Sequence, residues 1–212
     1  MISGNSSTEE QLDIFQQADG GSTPTLPLQN TPRINEISHT AARLFIERWH
    51  YSKRIPTGKN ICYGLFMGWE MYATIVYGIG VNPYQAKFLG CDRVMEIKRM
   101  CRSEPKASFP LSRLISITIK WLKKKHQFDM LVAFADPEQG HEGTVYKASG
   151  FEYRGETNAE WHLQDKDGNI RHRRLAFRHA RRNNITVQES RDILGLVRVK
   201  TSPKHRWCRA VN

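Results

Sequence analysis

Residues 131–151, LVAFADPEQGHEGTVYKASGF, hold the pattern from which the fold is read. Leu131 to Ala135 is an apolar run of the length of one core strand. Asp136-Pro137 then turns the chain, since an Asp before Pro favours a turn over helix. A polar loop bracketed by Gly140 and Gly143 leads into a helix of about residues 141–149, which carries Tyr146 and stops at Gly150. Phe151 opens another strand. In α/β architectures the C-terminal end of a core strand is where functional side chains are exposed, so Asp136 becomes a candidate at once.

Upstream, Ser38 opens a helical pattern with Ala41, Leu44, Phe45 and Trp49 on one face. It gives way to a basic loop, His50-Tyr51-Ser52-Lys53-Arg54-Ile55-Pro56. Residues 61–67 and 71–79 are β-rich runs around Gly68-Trp69-Glu70, a hairpin signal. Val94–Met100 reads as a further strand. A long helix follows, with Ser108 as its cap and Pro110 in its first turn. Leu111, Leu114, Ile115, Thr118, Ile119 and Leu122 form its apolar face. Lys123, Lys124 and Lys125 occupy the last turn, at the negative end of the helix dipole. Downstream, residues 160–164 and 170–177 flank Asp167-Gly168-Asn169 and read as a second hairpin. Thr186-Val-Gln-Glu189 is a capping box that opens a short helix to Leu194.

Composition bounds the function. The 212 residues suit one domain with extensions. No apolar run nears the roughly 20 residues of a membrane span, and the N-terminus lacks the layout of a secretory signal. Cys62, Cys91, Cys101 and Cys208 are dispersed without a CxxC pair, which speaks against a zinc knuckle or a disulfide framework and for a reducing, cytoplasmic compartment. Residues 1–33, rich in Ser, Gly, Gln, Thr and Pro, read as a flexible N-terminal arm. The net charge of +11 sits almost wholly at the other end: residues 171–212 hold twelve Lys or Arg against Glu189 and Asp192. Arginine dominates that set, and its guanidinium fork suits phosphate oxygens. Arg173, Arg174, Arg181 and Arg182, with Lys53 and Arg54 in the first basic loop, are therefore candidate nucleic-acid contacts.

Helix, hairpin, strand, long helix, strand, helix, hairpin is the element order of the GNAT acyltransferases, an α+β fold with a mixed central β-sheet flanked by helices. Over roughly residues 40–178 the chain resembles more specifically the Mom family of phage DNA-modification proteins, which are distant GNAT relatives. The resemblance rests on Trp49-His50-Tyr51, Tyr77-Gly78-Ile79-Gly80, Glu96-Ile97-Lys98-Arg99, Leu111-Ser112-Arg113, Phe134-Ala135-Asp136-Pro137 and Tyr146-Lys-Ala-Ser-Gly-Phe151. It implies a catalytic domain over residues 34–212 with a basic, DNA-contacting C-terminal segment. The implied activity converts adenine in duplex DNA to an N6-carbamoylmethyl derivative, in the host cytoplasm, shielding phage DNA from restriction. It implies a requirement for iron and a small-molecule donor, acetyl-CoA or another. One departure stands out. Ordinary GNAT enzymes hold coenzyme A on a glycine-rich turn, whereas residues 101–112, CRSEPKASFPLS, contain no glycine. Lys106, Arg113 or the helix N-terminus are the alternatives for a phosphate-bearing donor.

The N6 amine of adenine is a poor nucleophile, because its lone pair is delocalised into the ring. Asp136 is accordingly a candidate base, a hydrogen-bond acceptor from N6, or a metal ligand. By position, Tyr146 matches the tyrosine with which many GNAT enzymes protonate a departing thiolate. His50 and Tyr51 are candidates for the substrate edge, and His50 with Asp136 for an iron site, with His141 in reserve. Arg99 and Ser112 match family positions for donor binding. An ordinary N-acyltransferase and a non-catalytic DNA-binding protein on the same scaffold are the other readings. The residues do not specify the oligomeric state, a dimer included.

Overall fold

In the computed structural model, which describes residues 31–79, 83–103 and 109–211, the elements run in the following order. The first half has β1 (Pro32–Glu36), α1 (His39–Trp49), β2 (Asn60–Met67), β3 (Glu70–Ile79), α2 (Pro83–Leu89), β4 (Val94–Arg102), α3 (Leu111–Lys125) and β5 (Met130–Ala135). The second has α4 (Thr144–Lys147), β6 (Glu152–Glu156), β7 (Trp161–Gln164), β8 (Ile170–Arg171), α5 (Arg174–Asn183), α6 (Val187–Ile193), β9 (Val197–Lys200) and β10 (His205–Ala210). Seven strands form one mixed sheet in the order β1-β2-β3-β4-β5-β10-β6. The β4–β5 pair is parallel and the others are antiparallel.

Period-two alternation assigns the faces. Tyr63, Leu65, Ile75, Tyr77, Ile97, Leu131 and Ala133 point to the side where α3 packs Leu114, Ile115, Ile119 and Leu122. Their neighbours Cys62 and Val76 point the other way, against Ala42 and Ile46 of α1. Val94, Val132 and Cys208 meet Ala86 and Leu89 of α2 on that same outer side. The sheet is thus sandwiched between helices, the expected α+β arrangement. The buried Thr118 in α3 is satisfied by the Tyr77 hydroxyl at 2.7 Å and by the Leu114 carbonyl at 2.8 Å. Ser38 caps α1 as the sequence predicts, accepting from the Ala41 amide. The N-cap position of α3 is Pro110, which offers no side-chain bond. Ser108, Lys106 and residues 1–30 of the expected arm lie outside the described residues, while Pro32 and Arg33 of that arm pair with Met67 and Phe66.

Three expectations need correction. Residues 170–177 are not one hairpin strand: β8 ends at Arg171 and Arg174 already begins α5. The helix over 141–149 shrinks to Thr144–Lys147, because the left-handed Gly143 (φ 81°) delays its start. The end of the basic C-terminal segment, expected to contact DNA, is built into the central sheet. Its residues 205–210 form β10, an interior strand between β5 and β6, and Arg206 is buried there.

Between β6 and β10 a separate unit is inserted. β8-β7-β9 form a small antiparallel sheet, and α5 and α6 pack on it around Leu163, Ala176 and Leu196. The capping box of α6 is complete: Thr186 Oγ1 accepts from the Glu189 amide, and the Glu189 carboxylate accepts from the Thr186 amide. Thr186→Ala is expected to cost about 1 kcal/mol, a fall of roughly 2–4 °C in Tm at this chain length, read by thermal unfolding. All four cysteines are free thiols. No helix among the described residues is long and apolar enough to cross a membrane.

Candidate active site

The site arises from a gap in the sheet. β4 and β5 pair only over Val94–Ile97 against Met130–Ala133, although β4 runs on to Arg102. Lys98 is bulged out of the β3–β4 ladder, between Ile97 opposite Tyr77 and Arg99 opposite Val76. A bulge bends its strand, and from there β4 leaves β5. Gly78 makes room for the bulged side chain, since a Cβ on it would lie 1.7 Å from Lys98 Cε. Beyond the last shared pair opens a cleft of about 680 Å³, a volume that admits a nucleobase or a drug-sized ligand.

Two faces of the sheet meet in this cleft. From the α1 side, the end of that helix delivers His50 and Tyr51. From the α3 side, α4 delivers Tyr146. β4 supplies Glu96 and Arg99, and the residues just after β5 and just before β10 supply Asp136 and Lys204. His50, Tyr51, Arg99, Asp136 and Tyr146 are thus brought together. Ser112 sits in the first turn of α3 outside the cleft lining, where its carbonyl accepts from Ser116 Oγ at 2.9 Å. Lys53 and Arg54 lie at the rim. Lys53, in left-handed geometry (φ 48°), donates to the Arg48 carbonyl at 2.7 Å, and the Arg54 carbonyl accepts from Arg99 Nε at 3.1 Å. Arg173, Arg174, Arg181 and Arg182 belong to the inserted unit.

Asp136 is fixed on both oxygens. Oδ1 accepts from the Glu138 amide at 3.2 Å, which starts a single 3-10 turn, and Oδ2 pairs with Lys204 Nζ at 3.2 Å. Burial and then the Asp136 carboxylate raise the Tyr51 pKa, so Tyr51 keeps its proton and donates toward Asp136. The Tyr51 ring lies between those of His50 and His141, at centroid distances of 4.3 and 5.9 Å and tilted by 31° and 51°. Tyr146 is almost wholly buried, and burial, Tyr51 and Glu96 push its pKa well above the usual tyrosine value. Its hydroxyl is a proton donor at every physiological pH. Arg99 is anchored by Nε to Arg54 and by Nη1 to the Lys98 carbonyl at 2.6 Å. Its Nη2 has no hydrogen bond among the described residues, which frees it for a ligand. Burial raises the Glu96 carboxyl pKa, against the opposing pull of Lys98, Arg99 and Lys204.

His50 is the most perturbed base. Burial, followed by Arg99 and His141, lowers its pKa to about 4, so it is neutral at pH 7. Nδ1 receives the Ser52 amide at 3.0 Å and faces Ser52 Oγ at 2.9 Å. An amide can only donate, so Nδ1 is the acceptor and the ring proton sits on Nε2. That tautomer argues against a metal ligand, because coordination through Nε2 would move the proton to Nδ1, against the Ser52 N–H. Asp136 is likewise engaged by Lys204. Among the described residues no group of three or more His, Cys, Asp or Glu is placed to hold a metal ion, so the donor set does not fit the expected iron pairing of His50 with Asp136. The depressed pKa also has a stability consequence. Above pH 6.5 both folded and unfolded His50 are neutral, whereas between pH 6.5 and 4 only the unfolded chain takes up the proton. Stability is therefore lost as pH falls through that window, by an order of 2 kcal/mol. Thermal unfolding across pH 7.5 to 4 should show this loss, and His50→Gln should flatten it.

The geometry has counterparts among known proteins. A model of the Mom protein family matches residues 31–212. The chain belongs to the Mom protein family. Methylcarbamoylase mom of Escherichia phage Mu is 29% identical to it over 142 residues, 61% of this chain, and the match spans 59% of that relative's length. Among solved structures, Arabidopsis thaliana NAA60 in complex with acetyl-CoA superposes with a TM-score of 0.53 and 9% identity, covering 86% of this chain and 99% of that one. A probable acetyltransferase from Staphylococcus epidermidis ATCC 12228 gives 0.50 at 9% identity, with 86% and 100% covered. At such identities the likeness establishes the fold, which is the GNAT-like one expected. Lys204 is the site residue that sequence reasoning missed. It lies far along the chain from Asp136, and only the return of β10 into the sheet brings it to the cleft.

Proposed function

We propose that this Mom-family chain is a DNA-modifying transferase that converts adenine in duplex DNA to its N6-carbamoylmethyl derivative, protecting phage DNA from restriction in the host cytoplasm. The observation that carries the reading is the convergence of Tyr51, Asp136, Lys204 and Tyr146 in one cleft at the parting of β4 and β5. The name of the Mu relative, a methylcarbamoylase, supports the same chemistry.

Adenine N6 lies on the major-groove edge, whereas Asp136 and Tyr146 line a cleft between the strands. The base is therefore flipped out, at a cost of a few kcal/mol, and the aromatic row of His50, Tyr51 and His141 offers it a face to stack on. Asp136, paired with Lys204, accepts a hydrogen bond from the N6 amine and takes its proton as the new N6–carbon bond forms. His50 donates through Nε2. Tyr146 supplies a proton to the group leaving the donor carbon. Arg99 Nη2 binds a carboxylate, carbonyl or phosphate of the donor.

The donor, which for this displacement must carry the –CH2–CO–NH2 group on a leaving group, has a second contact at the start of α3. Pro110 there offers no cap, which leaves the first helix amides for an anion. Ser112 and Arg113 are in the same turn, with Arg113 over the Phe109 ring at 5.2 Å. Lys53 and Arg54 at the rim meet the phosphates beside the flipped base.

The test is mass spectrometry of nucleosides from DNA of cells expressing the protein. A deoxyadenosine heavier by a carbamoylmethyl group is the expected result. Unmodified DNA beside folded protein, with donor supplied, would return the chain to an ordinary N-acyltransferase or a DNA-binding protein.

A further inference from the structure

The unit inserted between β6 and β10 plays no part in building the cleft apart from Lys204, yet it carries much of the protein's charge. Residues 157–204 hold eleven Lys or Arg against five Asp or Glu. We infer that α5 is a docking ridge for the phosphates of duplex DNA, on a unit whose two ends are tied to the cleft. The inference rests on the reading of duplex DNA as the substrate and names the surface that holds it.

The helix geometry makes the ridge. Ala176 and Ala180 form the buried face of the helix, which at 100° per residue turns Arg174, Arg178, Arg181 and Arg182 to the opposite side. All four are exposed, as is Arg173 at the N-cap. α5 has no acid in its sequence, and no ion pair or side-chain hydrogen bond engages these arginines among the described residues. Three of the five acids of the unit are spent elsewhere. Asp165 binds Arg171 at 2.8 Å, Glu189 closes the α6 capping box, and Asp192 accepts from Gln188. Like charges at i and i+4 destabilise a helix, so the row is kept at a cost that a polyanion would relieve. Arginine spaced along one face also fits the regular charge of a duplex backbone.

The two tied ends give the ridge its place. The Thr157 amide donates to the Lys204 carbonyl at 2.9 Å, and the Lys204 amide donates to Thr157 Oγ1 at 2.9 Å. The Ser202 amide donates to Glu138 Oε1 at 2.8 Å, two residues from Asp136. Lys204, the last residue of the unit, ends on Asp136 itself. DNA lying on α5 is thereby referred to the residues that would receive the base.

The experiment measures duplex affinity by fluorescence anisotropy at graded salt, for the full chain and for R174Q/R178Q/R181Q/R182Q. Glutamine keeps helix propensity, and far-UV circular dichroism checks that α5 persists. The quadruple variant is expected to bind at least about tenfold more weakly, with the slope of log K against log salt smaller by about 3. Removing the same type of charge from α3 with K120Q/K124Q should change little. An unchanged affinity and slope, or an equal loss in the α3 control, would overturn the docking role. The two readings fail separately. Adenine modification with an unaffected quadruple variant removes the ridge alone, whereas lost duplex binding in a protein that never modifies adenine removes the transferase reading alone.

Discussion

Asp136→Asn is expected to cut the modified deoxyadenosine in DNA from expressing cells by at least about 100-fold, within the range assigned to a positioned general base. The substitution is chosen because it removes the charge and little else. Asn is as good an N-cap as Asp, so its side-chain oxygen keeps the Glu138 amide that Asp136 holds at 3.2 Å. The loss is the ion pair with Lys204, whose side chain is 43% exposed, so its contribution to stability is at most about 1 kcal/mol. An Asn cannot take a proton from the N6 amine, and it removes the ion-pair partner of Lys204. The expected signature is an inactive protein with nearly unchanged thermal unfolding and unchanged duplex affinity. Modification near the parental level would reduce Asp136 to a turn residue.

The parts of this architecture carried by local pattern are legible in the sequence. α3 is visible because Leu114, Ile115, Thr118, Ile119 and Leu122 recur at helical spacing, and β5 because an apolar run stops at Asp-Pro. α5 is misread because its buried face consists of Ala176 and Ala180. Two alanines carry little hydrophobic contrast, while Ile170, Leu175 and Phe177 suggest a strand. β10 is hidden for a related reason: its interior position is shared with charges that the fold satisfies over long range. Arg206 lies over the Phe88 ring at 4.2 Å and donates to the Arg154 carbonyl, and Arg209 donates to the Ser149 carbonyl at 2.6 Å. No local rule anticipates those partners. The candidate site divides likewise. Asp136, Tyr146, His50, Tyr51 and Arg99 each sit in a short recognisable motif, and the cleft unites them. Lys204 has no motif, and the tautomer that sets the role of His50 depends on Ser52 in three dimensions.

Gly143→Ala is expected to be the most destabilising single-methyl change in the cleft wall, and Gly140→Ala three residues earlier is its internal control. Both glycines are left-handed, with φ of 81° and 69°, so alanine pays roughly 1–2 kcal/mol of backbone strain at either. Their surroundings differ. A Cβ on Gly140 meets nothing within 4 Å, whereas one on Gly143 would lie 2.0 Å from Trp207 Nε1. That indole cannot retreat: Trp207 is buried on an interior strand, paired with Ala133 on one side and Tyr153 on the other, and its ring packs on that of Tyr153 at 5.6 Å. Overpacking of this kind adds about 1–3 kcal/mol. Gly143→Ala should therefore lower Tm by roughly 10 °C, against roughly a third of that for Gly140→Ala. Moving Trp207 would also displace the loop that starts α4 and positions Tyr146, so the surviving folded protein should modify DNA poorly. Equal Tm losses for the two variants would mean that backbone geometry alone reserves position 143 for glycine, and that the indole contact does not hold α4 against the sheet.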